Sequence, residues 1–150
     1  MNKQSLLLRK KAPIVVVDSD GIVAQSNLVD SNHETAVRIA EKLIELEAKV
    51  IYPSCIVFES TTTISRKLNN PQMAAGPLSV FADPNMIIEP TGQDIIAGAT
   101  KYFDPNATKK NTPFDCAVAA VADKYKADYI FSFDDFYVKK CGYKLAKDLL

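Results

Sequence analysis

The sequence predicts an α/β domain, a three-layer α/β/α sandwich around a central parallel sheet of four to five strands. Three observations carry this. Short apolar runs, led by Ile14-Val15-Val16-Val17, alternate with longer stretches of helical period. The Ile14 run is β-branched throughout and does not alternate with polar residues, the pattern of a strand buried on both faces under helices. Asp18 and Asp134 each follow such a run, which places a carboxylate at a strand's carboxyl end, the edge where open α/β sheets bind ligands.

Length and composition fit this class. The 150 residues read as one domain, 1–150, with a basic leader over 1–12; a chain of this size buries a core without disulfides. Hydrophobic residues make up 47% and charged ones 24%, which excludes a disordered chain. The 18 basic residues balance 18 acidic ones, so no global field attracts nucleic acid and local patches must hold any such partner. Cys55, Cys116 and Cys141 form no close pair and read as reduced, packed thiols. The leader MNKQSLLLRKKA has three consecutive leucines, too few for a signal peptide, and no apolar run reaches spanning length. The expectation is a cytoplasmic protein with no membrane association.

The elements follow in order. After the first strand comes a short helical turn that Asp18 or Asp20 is placed to cap. Ser31-Asn32-His33-Glu34 has capping-box spacing and opens a helix to about Ala48, with Ala36, Val37, Ala40, Leu43 and Ile44 inward and His33 exposed in its first turn. Lys49 to Tyr52 is a short strand. Ser54 caps the next helix, which carries Glu59 in its second turn and closes near Asn69-Asn70-Pro71. Gly76-Pro77 predicts two short helical pieces or a kinked one between Gln72 and Pro84. Met86 to Glu89 is a third strand, and a helix runs from Thr91–Asp94 to about Phe103. Thr112-Pro113-Phe114-Asp115 is a helix start with threonine at the cap, proline first and an acid third. Tyr129 to Phe133 is the fourth strand and Tyr143 to Ala146 a short fifth. If strands one to three step outward and strand four returns beside strand one, Asp18 and Asp134 face each other across the switch point.

Asp18, Glu59, Asp115 and Asp134 thus occupy comparable addresses on sequence-distant elements. Each has a plain structural reading beside the chemical one: Asp115 serves a helix start, and Asp134-Asp135 forms an ordinary acidic turn. Gathered in one crevice, like charges need a cation or a proton to compensate them, and oxygen-only ligands suit Mg2+ or Mn2+. With one histidine and no cysteine pair, zinc is disfavoured.

In order and spacing, the segments VVVDSDGIVA, PSCIVFES, TPFDCAVAAVADKYKADYI and FSFDDF resemble those of the PIN-domain nucleases, which include the toxins of toxin–antitoxin pairs. The resemblance spans roughly residues 14–146. It implies a metal-dependent ribonuclease in which Asp18, Glu59, Asp115 and Asp134 form the acidic site, with Asp18 and Asp115 as direct ligands. Asp134 ligates or orients water, and Glu59 ligates directly or through water. Ser19 matches a hydroxyl residue after the first acid and Ser132 one before the fourth; both stand with Lys109 and Lys110 as substrate-binding candidates. The resemblance further implies a homodimer and an inhibitory antitoxin partner. Single-stranded RNA is the expected substrate, since unpaired bases and backbone can be splayed into a site. Three departures stand out: Asp20 adds a carboxylate, the leader before Pro13 is long, and the Gly76-Pro77 region is irregular. The roles of Asp20 and Asp135 and the number of metals stay open.

Two alternatives share these residues. DSDG after a strand also resembles the first motif of haloacid-dehalogenase-like phosphatases, with Asp18 as nucleophile and Asp20 as acid/base, though this gives Glu59 and Asp115 no role. The other is a catalytically silent PIN-like domain that binds RNA or protein.

Overall fold

The computed structural model describes residues 11–69, 71–107 and 111–150. β1 (Ile14–Val17) leads through Asp18 into α1 (Ser19–Ser26), and α2 (His33–Glu45) returns the chain to β2 (Lys49–Pro53). α3 (Ser54–Leu68) and α4 (Pro71–Phe81) form a helical hairpin before β3 (Ile87–Glu89). α5 (Gln93–Ala99) and α6 (Pro113–Tyr125) cross back to β4 (Tyr129–Phe131). A short α7 (Phe136–Lys139), β5 (Lys144–Leu145) and a 3-10 turn (Ala146–Leu149) follow.

All five strands are parallel, in the order β3-β2-β1-β4-β5. The chain steps outward through β2 and β3 and then returns, so the reversal falls between β1 and β4, where the sequence placed it. Right-handed crossovers put α1 to α4 on one face and α5 and α6 on the other. Val15, Val16 and Val17 are all fully buried although successive residues face opposite sides, so both faces of β1 are covered. Each such side chain contributes about 1.5–3 kcal/mol of burial energy, which makes this strand the centre of the core. Val17 pairs with Phe131, so Asp18 and Ser132 emerge side by side from adjacent strand ends. No helix among the described residues is long and apolar enough to cross a membrane.

Several local expectations are corrected. The turn after β1 is an eight-residue helix. The capping box at Ser31 does not form: Asp30 accepts hydrogen bonds from the N–H groups of Asn32 and His33, and the resulting turn moves the start of α2 to His33. His33 is half-buried, its Nδ1 lying 2.7 Å from the Ala24 carbonyl oxygen and tying α2 to α1. The buried face of α2 is Ala36, Ile39 and Leu43, while Ile44 is 78% exposed. α2 ends at Glu45, and Glu47 turns the chain with a left-handed φ of 52°. Pro53 takes the cap position of α3, and the Ser54 hydroxyl instead accepts from the Thr91 N–H at 2.9 Å. α5 stops at Ala99, after which Lys101 and the Tyr102 hydroxyl turn to Asp123 on α6. α4 runs through Pro77 as one helix, anchored by an edge-to-face contact of Phe81 with Tyr52 at 4.9 Å. That packing outweighs the hydrogen bond the proline cannot donate.

Candidate active site

The site is built on the end of β1. Asp18 is 3% exposed and serves as the N-cap of α1: its Oδ1 accepts from the Ser19 N–H at 2.6 Å. Its Oδ2 accepts from the Tyr137 hydroxyl at 2.8 Å and from the Ser132 hydroxyl at 3.2 Å. The Asp18 N–H donates to the Phe131 carbonyl at 3.0 Å, so the aspartate is locked to β4 through backbone and side chain.

In the first turn of α1, Asp20 reaches back across the same gap. Its Oδ2 accepts from the Ser132 hydroxyl at 2.9 Å and from the Phe133 N–H at 2.7 Å. This draws the chain away from the sheet, which is why β4 ends at Phe131 instead of Phe133. The Asp134 N–H donates to Ser132 Oγ at 3.1 Å, and Asp134 Oδ1 accepts from the Phe136 N–H at 2.8 Å, fixing the fourth acid at the rim. Asp135 points to solvent and pairs with Lys139 at 3.1 Å. Ser132 has no exposed surface, and its hydroxyl lies among Asp18, Asp20 and Asp134 as a strut inside the acid network.

The other two acids come from opposite layers. Asp115 sits in the first turn of α6 and completes a capping box with Thr112: its Oδ2 accepts from the Thr112 N–H at 2.7 Å. Glu59 is half-buried in the second turn of α3, near the Ser19 hydroxyl, which favours its charged form. The cap and turn readings of Asp18, Asp115 and Asp134 therefore hold structurally, and they coexist with a shared crevice.

The electrostatics register that sharing. Burial, then Asp20 and Asp115, push the Asp18 carboxyl well above the usual carboxylate range, against the hydrogen bonds from Tyr137 and Ser19. Burial raises Asp20 against its bonds from Phe133 and Ser132, with Asp134 adding repulsion. Burial also raises Glu59, which Asp115 and Asp20 repel, and Asp115, which Asp134 repels. Among the described residues, no lysine or arginine is among the strongest influences on these four acids. Burial and the surrounding acids hold the Tyr137 phenol well above its ordinary value, so it stays a neutral donor.

Among the described residues, no three His, Cys, Asp or Glu side chains stand in a geometry that could hold a metal ion as they are. The physical reason is visible, because each carboxylate is turned toward a local donor: Ser19, Ser132, Thr112 or Phe136. The donor set nevertheless fits a hard divalent cation, being all oxygen and acidic, with no lysine or arginine paired to Asp18, Asp20, Glu59 or Asp115 among the described residues. Asp20 Oδ1 is buried with no hydrogen-bond partner among the described residues.

Of the predicted residues, the structure brings Asp18, Ser19, Glu59, Asp115, Ser132 and Asp134 to one crevice and adds Asp20. Lys109 and Lys110 lie outside the described residues. Tyr137 is the residue the sequence reading missed. Its signal was a tyrosine three positions after a candidate acid, since a buried phenol requires a polar partner. Also missed is a cavity of about 390 Å³ lined by Cys55, Ile96, Phe103, Phe114 and Cys116, which adjoins Asp115 along α6.

No protein-family model matches the sequence, and no curated protein does. Solved structures do. The chain is similar to Mycobacterium tuberculosis VapC20, a toxin that cleaves the sarcin–ricin loop, with a TM-score of 0.71 and 18% identity over 83% of this chain and 93% of that one. It is also similar to VapBC2 from Rickettsia felis bound to a DNA fragment from its promoter, with a TM-score of 0.59 and 11% identity over 88% and 96% of the two chains. With its parallel sheet ordered β3-β2-β1-β4-β5 between layers of helices, the chain has the PIN-like fold.

Proposed function

We propose that the protein is a Mg2+- or Mn2+-dependent ribonuclease that hydrolyses phosphodiester bonds of single-stranded RNA, acting as the toxin of a toxin–antitoxin pair. The observation that carries this reading is the convergence of Asp18, Glu59, Asp115 and Asp134 from four distant segments on the carboxyl edge of the sheet, in a fold shared with a toxin that cleaves the sarcin–ricin loop. Acids raised by burial and mutual repulsion favour a bound cation strongly, because it offsets the repulsion between them.

Asp18 and Asp115 would hold the cation, with Glu59 and Asp134 completing its shell. Bound there, it would polarise the phosphate and lower the pKa of the attacking water. The chain's own residues set the geometry. Thr112 fixes Asp115, and the Ser132 strut holds Asp134 at the rim, where it would orient the water. The phosphatase alternative needs Asp20 as a mobile acid/base, whereas its Oδ2 is engaged by Ser132 and Phe133.

Partner and setting belong to the same reading. The VapBC2 structure supports an antitoxin partner, and the apolar cavity beside Asp115, with Ile96, Phe103 and Phe114 exposed at its edges, supports a protein seated there. A homodimer in the cytoplasm completes the proposal. The test is incubation of the purified protein with single-stranded RNA, with Mg2+ or Mn2+ and with a chelator. Cleavage only in the presence of metal is expected. Equal cleavage under chelation overturns the metal role, and RNA binding without cleavage under any condition favours the silent domain.

A further inference from the structure

We propose that Tyr137 is a positioning residue of this site, its buried hydroxyl bonded to Asp18 so that this carboxylate is preset, beside Asp115, for a shared divalent cation. The proposal rests on the nuclease reading and adds a residue to it.

Three observations support the assignment. Tyr137 has no exposed surface, so its hydroxyl cannot meet RNA and acts only on what is packed around it. That hydroxyl donates to Asp18 Oδ2 at 2.8 Å and lies close enough to Asp115 for each group to act on the other's charge. Asp18 follows β1 and Asp115 lies in the first turn of α6, so one phenol stands beside acids carried by different layers of the fold. Finally, the tyrosine is delivered by α7, which begins directly after Asp134 and Asp135, so the turn that carries the fourth acid also delivers this donor.

A purely space-filling residue would serve better as phenylalanine. Burying a phenol and a carboxylate together costs desolvation of both, offset only by the bond between them. A phenol has one proton, so it donates fully to one carboxylate at a time. In the structure Asp18 receives it. Partners that orient carboxylate ligands in this way affect metal affinity although they do not touch the metal.

The experiment uses the full chain and Mn2+ as the probe. Tyr137→Phe keeps the ring, including its edge contact with Phe136 at 5.3 Å, and removes only the oxygen. Calorimetry should show Mn2+ binding on the order of 10–100-fold weaker than in the parent. With RNA as substrate, kcat should fall while KM is unchanged, because the hydroxyl does not face RNA. Tyr143→Phe removes a hydroxyl bonded to Asp123 instead and should leave Mn2+ affinity intact. Equal Mn2+ affinity of Tyr137→Phe and the parent overturns the assignment and leaves the nuclease reading standing. A parent that binds Mn2+ without cleaving RNA refutes the nuclease reading while the comparison of affinities still decides Tyr137. A parent that does neither refutes both. Should Tyr137→Phe not fold, Tb3+ luminescence on folded chains replaces it. The sequence has no tryptophan, so sensitised emission comes from tyrosine. Emission that survives Tyr52→Phe and is displaced by Mn2+ supports the placement, and its absence in the parent overturns it.

Discussion

Gly21 sits where α1 crosses β4, and replacing it with alanine probes the joint on which the site is built. A Cβ there would lie 2.9 Å from the Phe131 carbonyl oxygen and 3.0 and 3.3 Å from Cδ2 and Cε2 of its ring. The ring can shift, but the carbonyl belongs to β4 and already accepts the Asp18 N–H at 3.0 Å. Alanine gains about 1 kcal/mol over glycine inside a helix. Overpacking against atoms that cannot rotate away costs about 1–3 kcal/mol. Because the nearest atom here is backbone, the upper part of that range applies and the net loss should be about 1–2 kcal/mol. For a chain of this length that lowers Tm by roughly 2–8 °C. Thermal unfolding followed by circular dichroism, without metal, measures it, and RNA cleavage should weaken as Asp18 is displaced. An unchanged or raised Tm would refute the close approach of α1 to β4.

Two further predictions follow from the acids and their caps. Asp18, Asp20, Glu59 and Asp115 have carboxyls raised above their unfolded values, so the native state holds extra protons. Their stability contribution is complete below about pH 4 and is lost as pH rises through the raised values. Asp94 and Asp123 are lowered and act below that window. Urea midpoints of the metal-free protein should therefore be lower at about pH 8 than at about pH 5, with Asp18→Asn flattening the slope and Mn2+ restoring stability at the higher pH. A midpoint that climbs over this interval contradicts the acid crevice. Thr112→Ala removes the cap that fixes Asp115 and should cost about 1 kcal/mol in denaturant unfolding. A change below about 0.3 kcal/mol would mean that the cap contributes nothing.

The parts of the fold written in local chemistry were legible in the sequence. Ile14 to Val17 announced a strand covered on both faces, and Thr112-Pro113-Phe114-Asp115 announced a helix start that forms with its full capping box. The strand order followed from alternation and crossover handedness. What escaped was decided by tertiary partners. Ser54 has the spacing of a cap, yet Thr91, thirty-seven residues away, takes its hydroxyl. Gly76-Pro77 looks like a break, yet packing of Phe81 on Tyr52 carries α4 through it. The acids of the site were visible as residues at strand and helix ends, but their shared crevice and Asp20's latch onto Ser132 and Phe133 depend on a chain reversal more than 110 residues long. Tyr137 escaped for the same reason: in sequence it is one more aromatic residue, and only packing shows its hydroxyl on Asp18.

In the proposed nuclease, carboxylates from separate layers act together on RNA. The most direct test measures cleavage of single-stranded RNA by Glu59→Gln, Asp115→Asn and Asp20→Asn at saturating Mg2+, beside turnover of a generic phosphomonoester. Glu59→Gln and Asp115→Asn should each lower cleavage by at least about tenfold, on the order of 1.4 kcal/mol in the barrier. Asp20→Asn, which keeps an acceptor for Ser132 and Phe133, should cost less, and the phosphomonoester should turn over little. Hydrolysis of the phosphomonoester that Asp20→Asn abolishes and Glu59→Gln leaves intact would contradict the account.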